Sequence, residues 1–179
     1  MIAGPNGSGK TTLVERIRAD GIPLHRYINA DDIAATLSGD YGARVRAAQS
    51  LAEAERDACI ERGESFSFET VMSHPSKIEL LHRAKGAGFT VAVVFVATES
   101  ADLNVARVSQ RVGTGGHDVP ERNIRERYVR TLSLLPAAMA AADVVVLYDN
   151  TTVLRPFYRR SPAGAWKFPP IPNWAAAAL

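Results

Sequence analysis

Gly4, Gly9, Lys10 and Thr11 stand in the spacing G-x-x-x-x-G-K-[ST] within the run Gly4-Pro5-Asn6-Gly7-Ser8-Gly9-Lys10-Thr11-Thr12. That spacing is the pattern of a phosphate-binding loop. Glycines let successive backbone N–H groups turn inward around the β- and γ-phosphates of a nucleoside triphosphate, and a helix starting at the lysine aims its positive end at them. The Lys10 ammonium adds a point charge at the γ-phosphate, and the Thr11 hydroxyl is placed to ligate magnesium. ATP and Mg2+ are therefore the expected cofactors, held by residues 4–12.

A loop that presents a γ-phosphate to an alcohol needs a carboxylate nearby to take the proton. His25 to Asn29 reads as a short strand running into Asn29-Ala30-Asp31-Asp32, and ligands in open parallel sheets collect at the carboxyl ends of strands. Either aspartate could instead cap the helix expected to begin near Ile33; Asp31 is favoured for function and Asp32 for the cap. Alternation along an extended segment would send the two side chains to opposite sides. A second strand, Ser65 to Thr70, places Phe66 and Phe68 on one face and ends in Glu69 and Thr70. Glu69 and Thr70 thus again fall at a strand's carboxyl end, with a solvated or capping carboxylate as the alternative for Glu69.

Cations come later in the chain. A helix capped by Thr98 or Ser100 runs through Val112 and carries Arg107 and Arg111 four residues apart on one face. The glycine-rich stretch 113–118 contains His117, and Asp118-Val119-Pro120-Glu121 reads as the start of a second helix. That helix bears Arg122, Arg125, Arg127 and Arg130 against an apolar stripe of Ile124, Tyr128 and Leu135, ending or kinking at Pro136. A charge run usually means a solvated face. A segment closing over a nucleotide, however, must bring cations to the transferred phosphate, so residues 101–135 are expected to form a lid with Arg107, Arg111, His117 and Arg127 as its candidates.

The elements that must position these groups are legible to different degrees. Only Met1-Ile2-Ala3 precede the loop, so the first strand is either very short or its beginning is missing from this chain, whereas Leu13, Val14 and Ile17 give the following helix an apolar stripe. A long helix is expected from about 42 to 62, packed through Ala47, Ala48, Leu51, Ala54 and Ala58, and a shorter one over 76–85. Phe89 to Ala97 is a nearly continuous apolar run of the buried parallel kind. Asp143 to Tyr148 is the last core strand; its following Asp149 superficially resembles a magnesium-assisting aspartate, although a loop beside the adenine fits that place better. The tail 152–179 holds Trp166 and Trp174 among many prolines and is expected to be an irregular hairpin on the sheet's edge. The expected architecture is a three-layer α/β fold with a mainly parallel sheet and a helical lid, in one domain spanning 1–179.

Composition narrows the partners. With 179 residues, 46% hydrophobic, and a net charge of +2 from interspersed signs, the chain shows no clustered basic footprint for nucleic acid. Cys59 is the single cysteine and has no internal disulfide partner. No signal peptide or membrane-length apolar run is evident, which leads to the expectation of a cytoplasmic protein.

Taken together, GPNGSGKTT at 4–12, YINADDIA at 27–34, FSFET at 66–70, RVGTGGHDVP at 111–120 and VVLYDNT at 145–151 resemble the zeta toxin family of P-loop kinases. Members are ATP-dependent kinases, the best known acting on the 3′-hydroxyl of the sugar in UDP-N-acetylglucosamine. The resemblance implies that Asp31 is the base that accepts the hydroxyl proton and that Glu69 is a substrate-site glutamate. It matches Lys10 and Thr11 to the phosphate and magnesium residues and Arg111 to a lid arginine, and it implies an antitoxin as a partner. The place of the family's second lid arginine falls here near His117. Two rival readings are a nucleotide-binding regulatory module with weak catalysis and a polynucleotide kinase, the latter disfavoured by the missing basic stripe.

Overall fold

The computed structural model describes residues 1–113, 119–176 and 178–179. Five parallel strands, β1 (Ile2–Ala3), β2 (Arg26–Ile28), β3 (Phe66–Thr70), β4 (Ala92–Ala97) and β5 (Val144–Asp149), continue into two antiparallel ones, β6 (Arg155–Ser161) and β7 (Gly164–Lys167). Their order across the sheet is β2-β3-β1-β4-β5-β6-β7. The chain thus moves to one side of β1 for β2 and β3, and to the other for β4 and β5. That reversal opens a crevice at the carboxyl end of β1, where α/β sheets bind ligands.

Helices α1 (Lys10–Ala19), α2 (Ala30–Thr36), α3 (Tyr41–Arg62), α4 (Ser76–Gly86), α5 (Ala101–Val112) and α6 (Glu121–Ala141), with a short 3-10 turn at Asn173–Ala175, complete the described elements. Strand β4 shows how the layers form: Val93, Phe95 and Ala97 face a core shared with α4 and α6, while Val96 faces Leu13, Val14 and Ile17 of α1. A strand covered on both faces reads as a continuous apolar run, as this one does. The architecture is the expected three-layer α/β fold with a mostly parallel sheet.

Several local expectations need correction. The small-residue stripe of α3 is rotated: Ala48, Ala52, Arg56 and Cys59 are buried, whereas Ala47, Leu51 and Ala54 are exposed. Alanines are too numerous on this helix to mark one face. Helix α6 does not stop at Pro136 but continues to Ala141, because Leu135, Ala138 and Met139 are buried against the β4 and β5 core. That burial offsets the hydrogen bond a proline forfeits. The tail is a regular hairpin, β6 and β7, in which Phe157 is fully buried and meets Trp174 edge to face at 5.3 Å. Among the described residues no helix is long and apolar enough to cross a membrane.

Candidate functional site

The phosphate loop leaves β1 with the Gly4 N–H donating to the Thr70 carbonyl at 3.3 Å, so it is tied to the end of β3 from its first residue. Gly7 has φ 76° and a side chain there would come within 2.6 Å of the Asn104 carbonyl oxygen. Gly9, the residue preceding α1, has φ 95°, and a Cβ there would collide with the Asn150 amide. Both therefore need glycine twice over, for backbone conformation and for space. Asn150 Nδ2 also donates to the Ser8 carbonyl at 2.9 Å. Asn104, at the start of α5, accepts from Thr98 Oγ1 at 2.5 Å and leaves its buried Nδ2 without a partner. These two asparagines brace the loop from behind, and the sequence pattern did not single them out.

Asn6, Gly7, Gly9, Lys10, Thr11 and Thr12 line a cavity of about 830 Å³, while Gly4, Pro5 and Ser8 are buried behind them. Lys10 Nζ donates to the Pro5 carbonyl at 3.1 Å, which curls the ammonium back over the loop. Burial pulls the Lys10 pKa down; Glu69 and Asp31 oppose that shift and Arg111 adds to it. One lysine thus reports that two carboxylates and Arg111 share its neighbourhood. The glycine cradle and the inward ammonium suit a triphosphate. Among the described residues no group of three or more His, Cys, Asp or Glu could hold a metal. Magnesium on a nucleotide does not need one, since it takes one or two protein oxygens and fills its shell with phosphates and water; Thr11 fits that part.

Asp31 and Asp32 lie in the first turn of α2 rather than on an extended segment, and the helix starts three residues earlier than expected. Asn29 is its cap, accepting from the Asp31 N–H at 2.9 Å, so neither aspartate caps it through its side chain. Successive residues on a helix are rotated by about 100°. Asp31 accordingly lines the cavity, whereas Asp32 is not among its lining residues.

Glu69 and Thr70 reach the cavity from the end of β3. Glu69 Oε2 accepts from the Tyr27 hydroxyl at 2.8 Å, and burial together with Glu69 raises the Tyr27 pKa, keeping that hydroxyl a donor. Tyr27 is itself approached by Asn29 Nδ2 at 3.5 Å. Residues 27 and 29 alternate onto one side of the segment leading from β2, a signal for Tyr27 that was present in the sequence and not used. Thr70 Oγ1 accepts from the N–H of Met72, whose φ of 57° turns the chain sharply out of β3. Thr131 of α6 then straps the turn by donating to the Val71 carbonyl at 2.9 Å.

The helices α5 and α6 separate their arginines cleanly. Arg107, Arg111 and Arg127 line the cavity, and Arg107 also donates to the Thr151 carbonyl at 3.1 Å. Arg122, Arg125 and Arg130 are engaged in surface pairs with Glu126, Asp102 and Glu121. His117 lies outside the described residues. Ser100, rather than Thr98, caps α5, accepting from the Leu103 N–H at 3.2 Å. Tyr128 anchors α6 on the end of β4 by donating to the Thr98 carbonyl at 2.7 Å, and burial pushes its pKa up to about 12. Asp149 does not resemble a magnesium ligand in place: its carboxylate accepts from Thr151 Oγ1 at 2.7 Å and Trp174 Nε1 at 3.2 Å, and it is not part of the cavity wall.

A mostly parallel sheet with a phosphate loop at its crevice, facing carboxylates and arginines across one cavity, defines a P-loop nucleotide-binding protein of the kinase type. The profile of the family described as zeta toxin matches residues 1–158, and the chain belongs to that family of P-loop kinases. An uncharacterised protein of Haemophilus influenzae is 29% identical over 135 residues, covering 70% of this chain and 88% of its own. Among solved structures, one from the PezAT chromosomal toxin–antitoxin system of Streptococcus pneumoniae superposes with a TM-score of 0.60 at 17% identity, covering 86% of this chain and 69% of its own. A kinase candidate from Chloroflexus aurantiacus superposes with a TM-score of 0.53 at 19% identity, over 72% and 74% of the respective chains. At such identities the superpositions speak to the fold.

Proposed function

We propose that the protein transfers the γ-phosphate of ATP to a hydroxyl of a small molecule, with Asp31 as the base. The supporting observation is the convergence on Lys10: Asp31, Glu69 and Arg111 come from three separate elements, line the same cavity and all bear on the lysine's charge. Bound ATP with Mg2+ supplies the phosphoryl group and neutralises part of its charge. The loop N–H groups and Lys10 hold the phosphates, and Thr11 offers its hydroxyl to the metal. Asp31 takes the acceptor proton as the oxygen attacks. Glu69, fixed by Tyr27, and Thr70 orient the acceptor, and Arg111 balances charge on the transferring group. By family resemblance, UDP-N-acetylglucosamine is the first acceptor to try.

Purified protein with ATP, Mg2+ and a panel of alcohols, that amino sugar included, should release ADP only with an accepted substrate, and mass spectrometry should find one added phosphate. ADP release indifferent to every acceptor would favour the regulatory-module reading instead. A short oligonucleotide should not bind at low salt; if it does, a polynucleotide acceptor replaces the small molecule. Arg111→Ala should depress kcat far more than nucleotide affinity, and Arg111→Lys should restore only part. Turnover unaltered in Arg111→Ala would make that arginine a surface residue. A toxin role with an antitoxin partner is a second reading, favoured by the likeness to a chain from a toxin–antitoxin system. It calls for growth arrest when the wild type, but not Asp31→Asn, is expressed in a bacterial host.

A further inference from the structure

Arg56 is an anomaly in the cavity wall. It is 6% exposed, its guanidinium lies 5.2 Å from the centroid of the Phe68 ring, and its buried Nε has no hydrogen-bond partner. Other cations of these elements are paired: Arg26 with Glu55, Arg83 with Asp57, Lys85 with Asp143. Among the described residues Arg56 has no such pair, and neither has Lys77, half-buried in the first turn of α4. Both line the cavity. Burial and then Arg56 push the Lys77 pKa down, and burial does the same to Arg56 against the pull of Glu53, Asp57 and Glu55. Asp57 is already held by Arg83 at 2.9 Å, so Glu53 is the nearby carboxylate left in the cavity wall.

A buried cation without a partner is costly, and stacking on one phenylalanine offsets only a small part. Chains keep such a group where a ligand completes it. The charges bearing on Lys10 are Glu69, Asp31 and Arg111, whereas Lys77 senses Arg56 and both sense the α3 carboxylates Glu53 and Asp57. The cavity therefore has a second cationic neighbourhood separate from the phosphate loop. Val45, Gln49 and Arg56 of α3 all line the cavity at helical spacing, a stretch of about 16 Å at 1.5 Å per residue. Such a wall can receive an extended small molecule.

We propose that the acceptor carries an oxyanion, a phosphate or a carboxylate, which Arg56 and Lys77 grip while the reacting hydroxyl lies at Asp31. This rests on the phosphoryl-transfer reading above. The Phe68 ring holds the Arg56 guanidinium, 5.2 Å from its centroid, in the cavity wall; its planar fork suits two oxygens of one anion, and Lys77 adds a point charge.

Calorimetric titration of inorganic phosphate and of succinate into protein saturated with a non-hydrolysable ATP analogue and Mg2+ tests it, because the phosphate loop is then filled. At least one anion should bind saturably to the wild type and about tenfold or more weakly to Arg56→Met and Lys77→Met, the loss expected of a charge-assisted contact. Nucleotide affinity should be equal in all three. Phosphate binding alone points to a phosphorylated acceptor and succinate binding alone to a carboxylated one. Without ligand, Arg56→Met should melt no lower than the wild type, since it removes an uncompensated buried charge. No binding of either anion to the wild type, or equal binding to the variants, overturns the proposal. So does a lowered melting temperature of Arg56→Met with anion affinity unchanged, which would make the arginine structural. If the analogue itself does not bind, the kinase reading fails. The same titrations of Lys10→Ala with and without Arg56→Met then decide the anion site independently.

Discussion

The phosphate loop and the wall made by α2, β3, α3 and α4 border one cavity but hold their functional groups in different ways. In the loop the binding groups are largely backbone, their directions set by two glycines at φ 76° and 95° and by Asn104 and Asn150 pressing from behind. On the wall they are side chains projecting from regular elements, so Asp31, Glu69 and Arg56 can change without altering a single backbone dihedral. Damage to the loop should therefore strike fold and nucleotide together, while damage to the wall should spare both and strike the acceptor chemistry.

The largest expected effect tests the wall. Asp31→Asn keeps shape and hydrogen-bonding capacity but takes no proton, so turnover should fall by roughly 10²–10⁴, with the ATP-induced rise in melting temperature retained. Asp32→Asn should leave turnover near the wild type. It should also cost little stability, because Asn29 rather than Asp32 caps α2. Loss of activity in Asp32→Asn alone would reverse the assignment.

Next comes the loop itself. Gly7→Ala places a Cβ 2.6 Å from the Asn104 carbonyl oxygen in a backbone conformation side chains avoid, at a cost of about 1–3 kcal/mol. It should also abolish the stabilisation by saturating ATP, about 2.7 kcal/mol at 100-fold excess over Kd. A variant that melts lower yet keeps the full nucleotide shift would show that the loop tolerates distortion, and the contrast with the wall would weaken.

The contrast also explains what could be read from the chain alone. The loop was legible because its chemistry is contiguous: Gly4, Gly9, Lys10 and Thr11 declare it at fixed spacing. Asp31, Glu69 and Arg111 were legible because they fall at element ends, where short apolar runs stop. Arg56 was not, since recognising it requires the rotation of α3, and a helix with alanines on every side hides which face is buried. The two bracing asparagines escaped because their partners, Gly7 and Ser8, are distant in sequence. The β6–β7 hairpin was obscured by prolines, which mark turns well but say little about the strands between them.

Lys10 couples the two regions and gives a pH test. Its pKa is lowered in the folded state, chiefly by burial, so below that folded value both states carry the proton and the fold bears the whole penalty. As pH rises toward the unfolded value, the unfolded chain holds the proton longer and stability increases. Without nucleotide, Lys10→Met should therefore melt above the wild type at neutral pH, with the gap closing as the solution becomes alkaline. With nucleotide the order should invert. A neutral-pH melting temperature below the wild type would mean that Glu69 and Asp31 more than compensate the buried charge.

The smallest effect concerns Tyr27, which joins β2 to the wall through one hydrogen bond to Glu69 at 2.8 Å. Tyr27→Phe keeps the ring against Arg18, 4.9 Å from its centroid, and removes only the donor. The stability cost should be about 1 kcal/mol, the ordinary net worth of a partly buried hydrogen bond. Its kinetic signature is more telling than its size. If Glu69 orients the acceptor, freeing its carboxylate should raise the acceptor KM several-fold with kcat less affected, and leave the nucleotide-induced melting shift unchanged, since the lost bond runs to Glu69 and not to the phosphate loop. Unaltered acceptor kinetics in Tyr27→Phe would mean that Glu69 keeps its place without the tyrosine, and the wall would then owe its geometry to the end of β3 alone.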